Sequence, residues 1–235
     1  MSGQQAIADA REAAPRVVIL AVRNGEMKNY NYLVVEPETL EAVIVDPAWE
    51  IDTIEAAIAA ERATLRGILV THSHRDHIDL ARPLAEKYDC PIWMSKTEIG
   101  VSGFSARQLA AIESQPWTVG KLLIEPLFTP GHTRGSTCYL VGDNLFTGDV
   151  LFSEGCGICA DTEAAHAMFA SLERIKNRVG PQTRIFPGHS YGQQPGRTMA
   201  QLLQENIYLQ FSDKESFAAF RLRRGQDKAR LFNFS

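Results

Sequence analysis

Three histidines and two aspartates crowd the stretch 67–80, Gly-Ile-Leu-Val-Thr-His-Ser-His-Arg-Asp-His-Ile-Asp-Leu, directly behind a short apolar run. Imidazole and carboxylate at this density are metal-ligand chemistry. His72 and His74 lie two apart and share a side of the chain if the extended conformation persists, whereas Asp76 and His77 fall on the first turn of a following helix. Three later turns each repeat the arrangement with one ligand. His132 follows Phe128-Thr129-Pro130-Gly131, Asp149 follows Leu145-Phe146-Thr147-Gly148, and His189 follows Ile185-Phe186-Pro187-Gly188. A lone histidine is more often a packed or surface residue than a ligand. His166, in a helical stretch outside these turns, is read that way. The shared pattern of apolar run, glycine turn and ligand sets the other histidines apart. Nitrogen and carboxylate donors suit Zn²⁺, Fe or Mn, while a calcium site takes oxygen alone. His72, His74, Asp76, His77, His132, Asp149 and His189 suffice for two divalent ions with one carboxylate shared.

The elements that carry these residues follow from periodicity. Val17–Val22, Tyr32–Glu36 and Glu41–Asp46 are β-branched runs separated by Asn24-Gly25 and by Pro37, which predicts a hairpin-rich sheet. Ile51, Ile54 and Ile58 predict a helix ending before Gly67. Ile68–Val70 then reads as a buried strand, followed by a helix through His77, Leu80, Ala81, Leu84 and Tyr88. Pro91–Met94 reads as a further strand, and 95–120 as a helix-containing excursion bordering a cleft. Short strands are expected at Leu122–Ile124, Leu127–Phe128, Thr137–Val141, Asn144–Phe146 and Ile185–Phe186. Helices are expected around Met168–Ile175 and from about Pro195. Two halves, each β then α, predict a two-sheet sandwich with helices outside. Residues 1–15 are read as a mobile tail and 16–235 as a single domain with a short helical C-terminal extension.

Composition narrows the function classes. The 235 residues are 45% hydrophobic with a formal charge of −4, ordinary for a protein with a real core and unlike a nucleic-acid binder. No apolar run reaches the roughly 20 residues of a membrane span, and the first 15 residues lack a signal pattern, so a cytoplasmic protein is expected. Cys90, Cys138, Cys156 and Cys159 are too few and too irregular for a disulfide framework.

The Thr71-His72-Ser73-His74-Arg75-Asp76-His77 turn, with the later Gly131-His132, Gly148-Asp149 and Gly188-His189 turns, resembles the metallo-β-lactamase superfamily. The match runs from about Asn29 to Gln210. The resemblance implies an αββα sandwich (α+β class) with the metals at the open edge between its sheets. It also implies that His72, His74 and His132 bind one ion, that Asp76, His77 and His189 bind the other, and that Asp149 bridges. The nucleophile would be a hydroxide held between the ions, with Asp76 in the catalytic set, and zinc the first choice of metal.

Asn29-Tyr30-Asn31-Tyr32, Val45-Asp46-Pro47, Gly155-Cys156-Gly157 and Gly188-His189-Ser190-Tyr191 resemble the glyoxalase II-like thioester hydrolases. Where glyoxalase II follows its Gly-Cys-Gly with a basic residue for glutathione, this chain has Ile158. The combined runs 153–159, 188–192 and Glu205-Asn206-Ile207-Tyr208 resemble the stand-alone acyl hydrolases of trans-acyltransferase polyketide assembly lines. This implies thioesters of acyl carrier protein, or a small acyl thioester, as substrate. Tyr191 and Cys156 are candidate substrate contacts. Arg221, Arg223 and Arg224 are a candidate docking face for an acidic carrier, and Asp46 and Thr71 candidates for orienting ligands. The Cys156/Cys159 spacing is read as a turn shaping the cleft. The alternatives are a glyoxalase II, a mononuclear-iron persulfide dioxygenase using His72, His132 and Asp149, and a non-catalytic scaffold.

Overall fold

The computed structural model describes residues 14–223. The expected mobile tail falls, except for Ala14 and Pro15, outside the described residues. The first half of the chain runs β1 (Arg16–Asn24), β2 (Met27–Val35), β3 (Glu41–Val45), α1 (Ile51–Ala60), β4 (Thr64–Leu69), α2 (Arg75–Ile78), α3 (Ala81–Tyr88), β5 (Ile92–Ser95), α4 (Lys96–Ser102) and β6 (Leu109–Ile112). The second half runs β7 (Trp117–Val119), β8 (Leu122–Phe128), β9 (Thr137–Val141), β10 (Asn144–Gly148), α5 (Thr162–Arg178), β11 (Arg184–Pro187), β12 (Arg197–Thr198), α6 (Met199–Glu205) and, after a 3-10 turn at Ile207–Leu209, α7 (Lys214–Arg221).

Each half builds its own sheet, in the order β1-β2-β3-β4-β5-β6 and β12-β11-β10-β9-β8-β7. Side chains alternate between the two faces of a strand, and β3 shows the result. Val43 and Val45 join Tyr32, Leu69, Tyr139, Phe146 and Phe186 between the sheets, while Ala42 and Ile44 join Ile54 and Ile58 of α1 and Leu84 of α3 on the outer side. On the far side of the second sheet, Leu140, Leu145 and Ile185 pack against Met168 and Leu172 of α5, Leu202 of α6 and Phe217 of α7. The result is the expected αββα sandwich. Among the described residues, no helix is long and apolar enough to cross a membrane.

At one edge the two sheets are stitched together by hydrogen bonds. Tyr139 donates its hydroxyl to the Val70 carbonyl at 2.9 Å, and Tyr32 donates to the Pro187 carbonyl. The backbone N–H groups of Tyr30 and Thr137 donate to the carbonyls of Gly188 and Thr71, each at 2.9 Å. These bonds tie the C-terminal end of β4 to β9 and that of β11 to β2, where the ligand turns begin.

Four expectations are corrected. The helix predicted from His77 to Tyr88 is two, α2 and α3, because a continuous helix would drive the Pro83 ring into the Asp79 carbonyl; restarting at Ala81 puts Pro83 in a first turn. The stretch 95–120 holds β6 and β7 besides α4. β6, whose Leu-Ala-Ala-Ile has little β character, is recruited by parallel pairing with β5. β8 runs unbroken through Pro126, which lies beyond the last β7 pairing at Ile124, so one side of the strand is an edge where a missing N–H is tolerated. The helix expected from Pro195 begins at Met199, capped reciprocally by Thr198 and Gln201, with Arg197–Thr198 drawn into the sheet as β12.

Candidate metal centre

The ligand turns all leave the C-terminal ends of strands at the stitched edge. His72 and His74 follow β4, and Asp76 and His77 sit on α2. His132, Asp149 and His189 follow β8, β10 and β11. The glycines permit the approach. Gly148 adopts φ +47°, and a Cβ on Gly188 would stand 2.4 Å from His77 Cε1 and 2.7 Å from Asp149 Oδ1, so no larger residue fits there.

The structure gathers two donor triads. Nδ1 of His74 lies 3.1 Å from Nε2 of His72 and 3.0 Å from Nε2 of His132. Asp76 Oδ2 lies 3.5 Å from His77 Nε2 and 3.4 Å from His189 Nε2. Asp149 reaches both groups: its Oδ1 is 3.4 Å from His77 Nε2, and its Oδ2 is 3.5 Å from His132 Nε2 and 3.4 Å from His189 Nε2. A tetrahedral ion with ligands at about 2.1 Å separates neighbouring donors by about 3.4 Å. The observed spacings therefore fit a cation at the centre of each triad. His77 Nε2 and Asp149 Oδ1 are buried without a hydrogen-bond partner, as donors reserved for a cation are.

The outward nitrogens are engaged. His72 Nδ1 meets Thr71 Oγ1 at 3.1 Å, His77 Nδ1 meets Asp46 Oδ2 at 2.9 Å, His132 Nδ1 meets the Ile158 carbonyl at 3.0 Å, and His189 Nδ1 meets the Lys28 carbonyl at 3.2 Å. Such bonds set the tautomer and turn Nε2 inward. His74 is the exception, presenting Nδ1. Asp46, His72 and His77 also form a compact donor group. Asp46 is committed elsewhere, accepting from Thr71 N at 2.8 Å and Thr71 Oγ1 at 2.6 Å as well as from His77. These bonds put it against Thr71 and His77, beside the candidate donors rather than among them.

Charge is distributed unevenly. Burial pulls the basicity of His72 and His132 down, leaving neutral imidazoles with free lone pairs. Burial opposes ionisation of Asp149 too, but the charges of His189 and then His77 overcome it and hold the carboxyl well below its usual range. Burial likewise lowers His189, yet Asp149 and Asp76 outweigh it and raise the imidazole to about 9. The negative charge that keeps protons on His77 and His189 would equally hold a dication.

The remaining candidates separate. Tyr191 is 41% exposed beside the site, its ring centroid 5.4 Å from that of Phe152, which in turn lies 6.1 Å from the His189 ring. Cys156 is not in the cleft: it is buried in the core with Met168 and Phe217, paired with Leu151 in an isolated bridge. Cys156 and Cys159 are free thiols. His166 stays outside the site, its Nε2 3.3 Å from Glu215. Arg221 is not a surface residue. It is 4% exposed and donates Nε to the Gly157 carbonyl at 2.8 Å, because α7 folds back over the 156–159 turn and leaves that carbonyl without water. Arg223 stacks on Phe220 at 3.8 Å, and Arg224 lies outside the described residues.

Two further contributors stand outside the residues that the sequence marks as candidate donors or orienting groups. Asn29, 1% exposed, donates Nδ2 to the Asp76 carbonyl at 2.7 Å and to Asp76 Oδ2 at 3.2 Å. Glu98, fully buried, accepts from residues flanking the ligands of the first triad. Only the Ser95-x-x-Glu98 spacing, a helix-capping pattern, draws the eye to it.

Residues 26–189 match the sequence profile of the Metallo-beta-lactamase superfamily. The chain is 46% identical over 208 residues, 88% of its length and 92% of the relative's, to the "Probable polyketide biosynthesis zinc-dependent hydrolase BaeB" of Bacillus velezensis. It is 35% identical over 174 residues, 72% of its length and 67% of the relative's, to the hydroxyacylglutathione hydrolase of Thermosynechococcus vestitus. The crystal structure of ETHE1 from Myxococcus xanthus superposes with a TM-score of 0.77 at 28% identity, covering 92% of this chain and 94% of that one. With the profile spanning most of the chain and the sandwich carrying its donors at the same open edge that the sequence motifs imply, this protein belongs to the metallo-β-lactamase superfamily.

Proposed function

We propose that the chain is a dinuclear, zinc-dependent thioester hydrolase of polyketide biosynthesis that removes acyl groups from acyl carrier protein. The observation that carries the reading is Asp149, whose two oxygens face both donor triads at 3.4–3.5 Å. When bound, two zinc ions supply a hydroxide nucleophile near neutral pH and a Lewis acid for the acyl oxygen. In this reading His72, His74 and His132 hold one ion, Asp76, His77 and His189 the other, and Asp149 bridges. The second triad carries its own positioning bonds from Asp46, Asn29 and Lys28, which a mononuclear iron dioxygenase would not require. In the same reading Tyr191, beside Phe152, packs against a thiol-bearing arm of the substrate. The substrate class comes from the relative named a polyketide biosynthesis zinc-dependent hydrolase, nearly all of whose length is matched. A hydroxyacylglutathione hydrolase is the second reading, favoured by the relative of that name; Ile158 in place of a basic residue weighs against it. Residues 16–235 would act as one unit, in the cytoplasm, where free thiols persist.

The test is thiol release by zinc-loaded protein from acetylated acyl carrier protein and from lactoylglutathione, with Asp149→Ala as blank. Faster turnover of the carrier protein supports the proposal. Preference for lactoylglutathione would establish the second reading, and release from neither would overturn both.

A further inference from the structure

The two triads are held by different means. The second is tethered by Asp46, by the Lys28 carbonyl and by Asn29, all on or just after β2 and β3. The first brings His132 from one loop to His72 and His74 on another, 58–60 residues away; besides the bonds of His72 to Thr71 and of His132 to the Ile158 carbonyl, one buried side chain bonds both loops at once.

That side chain is the carboxylate of Glu98, in the first turn of α4. Its Oε1 accepts from Ser73 N at 2.8 Å and Ser73 Oγ at 2.5 Å, and Ser73 is the residue between His72 and His74. Its Oε2 accepts from Thr133 Oγ1 at 2.7 Å and Gly135 N at 3.0 Å, in the turn that begins with His132. In a capping box the glutamate would reach back to the backbone N–H of its own cap. Here Ser95 does its half, accepting from Glu98 N at 3.1 Å, while the Glu98 carboxylate turns outward to the ligand loops. The contact is tight: a Cβ on Gly135 would stand 2.2 Å from Glu98 N. Among the described residues no basic side chain forms an ion pair with Glu98. A fully buried carboxylate is costly unless hydrogen bonds replace its water, and here the two loops provide all four.

We propose that Glu98 is a positioning residue that clasps the His72–His74 turn to the His132 turn and so sets the geometry of the first metal-binding triad. This rests on the reading that both triads hold metal. Glu98 touches neither triad's donors and acts only through the two loops, so its influence falls on one ion of the two.

The experiment is a zinc titration of metal-stripped protein against a chromophoric chelator, with thermal melting of the metal-free form. Glu98→Gln preserves shape but places an amide N–H against the donors of Ser73 or of Thr133 and Gly135. Loss of a group that orients ligands weakens metal affinity by about 10- to 100-fold. The expected result is that loss in one of two binding steps, with the other unchanged. Thr133→Val, which removes one donor and leaves Glu98 in place, should weaken the same step less, and Thr133→Ser should restore it. The clasp is overturned if wild type takes up two zinc ions and both steps survive in Glu98→Gln, or if both steps weaken equally with collapse of the metal-free melt. Should Glu98→Gln fail to fold, an unchanged Thr133→Val overturns it. Wild-type protein that binds no zinc would instead sink the dinuclear reading beneath it.

Discussion

Asp46→Asn strikes the second triad directly, through His77, with almost no change of shape. Asp46 is 3% exposed and sits at φ +50°, a left-handed conformation that asparagine tolerates as well as aspartate, so the backbone is not disturbed. Its Oδ1 accepts from Thr71 N, and its Oδ2 from both Thr71 Oγ1 and His77 Nδ1. An asparagine must put its NH₂ at one of these positions. At the first it opposes the Thr71 N–H. At the second it opposes the His77 Nδ1–H, unless the imidazole moves its proton to Nε2 and gives up the lone pair that faces Asp76 and Asp149. Either way a buried, charge-assisted hydrogen bond is lost, which costs about 1.5–3 kcal/mol. Taking about 2 kcal/mol, a domain of this size melts about 4–8 °C lower. Ligand misorientation weakens one zinc step by about 10- to 100-fold. Chelator-competition titration and circular-dichroism melting read the two effects. The step that Glu98→Gln spares should weaken most, since Asp46 bonds His77 directly and reaches His72 only through the Thr71 hydroxyl, and in the double variant both steps should weaken. A melt and a pair of zinc affinities identical to wild type would refute the argument that Asp46 holds His77.

Arg221→Met keeps the apolar stem against Tyr208 but leaves the Gly157 carbonyl without its charged donor. The melting temperature should fall by about 4–8 °C, corresponding to about 2 kcal/mol; a wild-type melt with altered turnover of carrier-protein substrate alone would restore Arg221 to the docking role expected from sequence. The buried thiols should be slow. Burial raises Cys90 and Cys159 to about 11, Cys138 to about 12 and Cys156 further still, so an aromatic disulfide reagent at pH 8 should find little thiolate in folded protein and four thiols after denaturation. Rapid modification of Cys156 in the folded state would place it in the cleft after all.

The candidate metal donors were legible because their immediate neighbours announce them. For His132, Asp149 and His189 an apolar run, a glycine and the donor lie within five residues of one another, while His72, His74, Asp76 and His77 crowd one turn behind Ile68–Val70, and strand alternation and helix period reveal which runs are buried. The sandwich was legible for the same reason, since Val43 and Ile44 need only the two-residue period of a strand to face opposite layers. What the local pattern lacks is any term for contacts across the fold. Asn29 meets Asp76 across 47 residues, Glu98 meets Ser73 and Gly135 across 25 and 37, and Arg221 meets Gly157 across 64. Each is a polar residue whose own stretch gives no sign of its partner, which is chosen by which loops the two sheets bring to one edge. β6 is a strand because β5 lies open beside it, and Arg221 is buried because α7 closes over the 156–159 turn. The identity of the candidate ligands is thus written locally, while their orientation, the nitrogen each histidine presents and the groups that hold it there are decided by tertiary packing, where hydrogen-bond donors must find acceptors once water is gone.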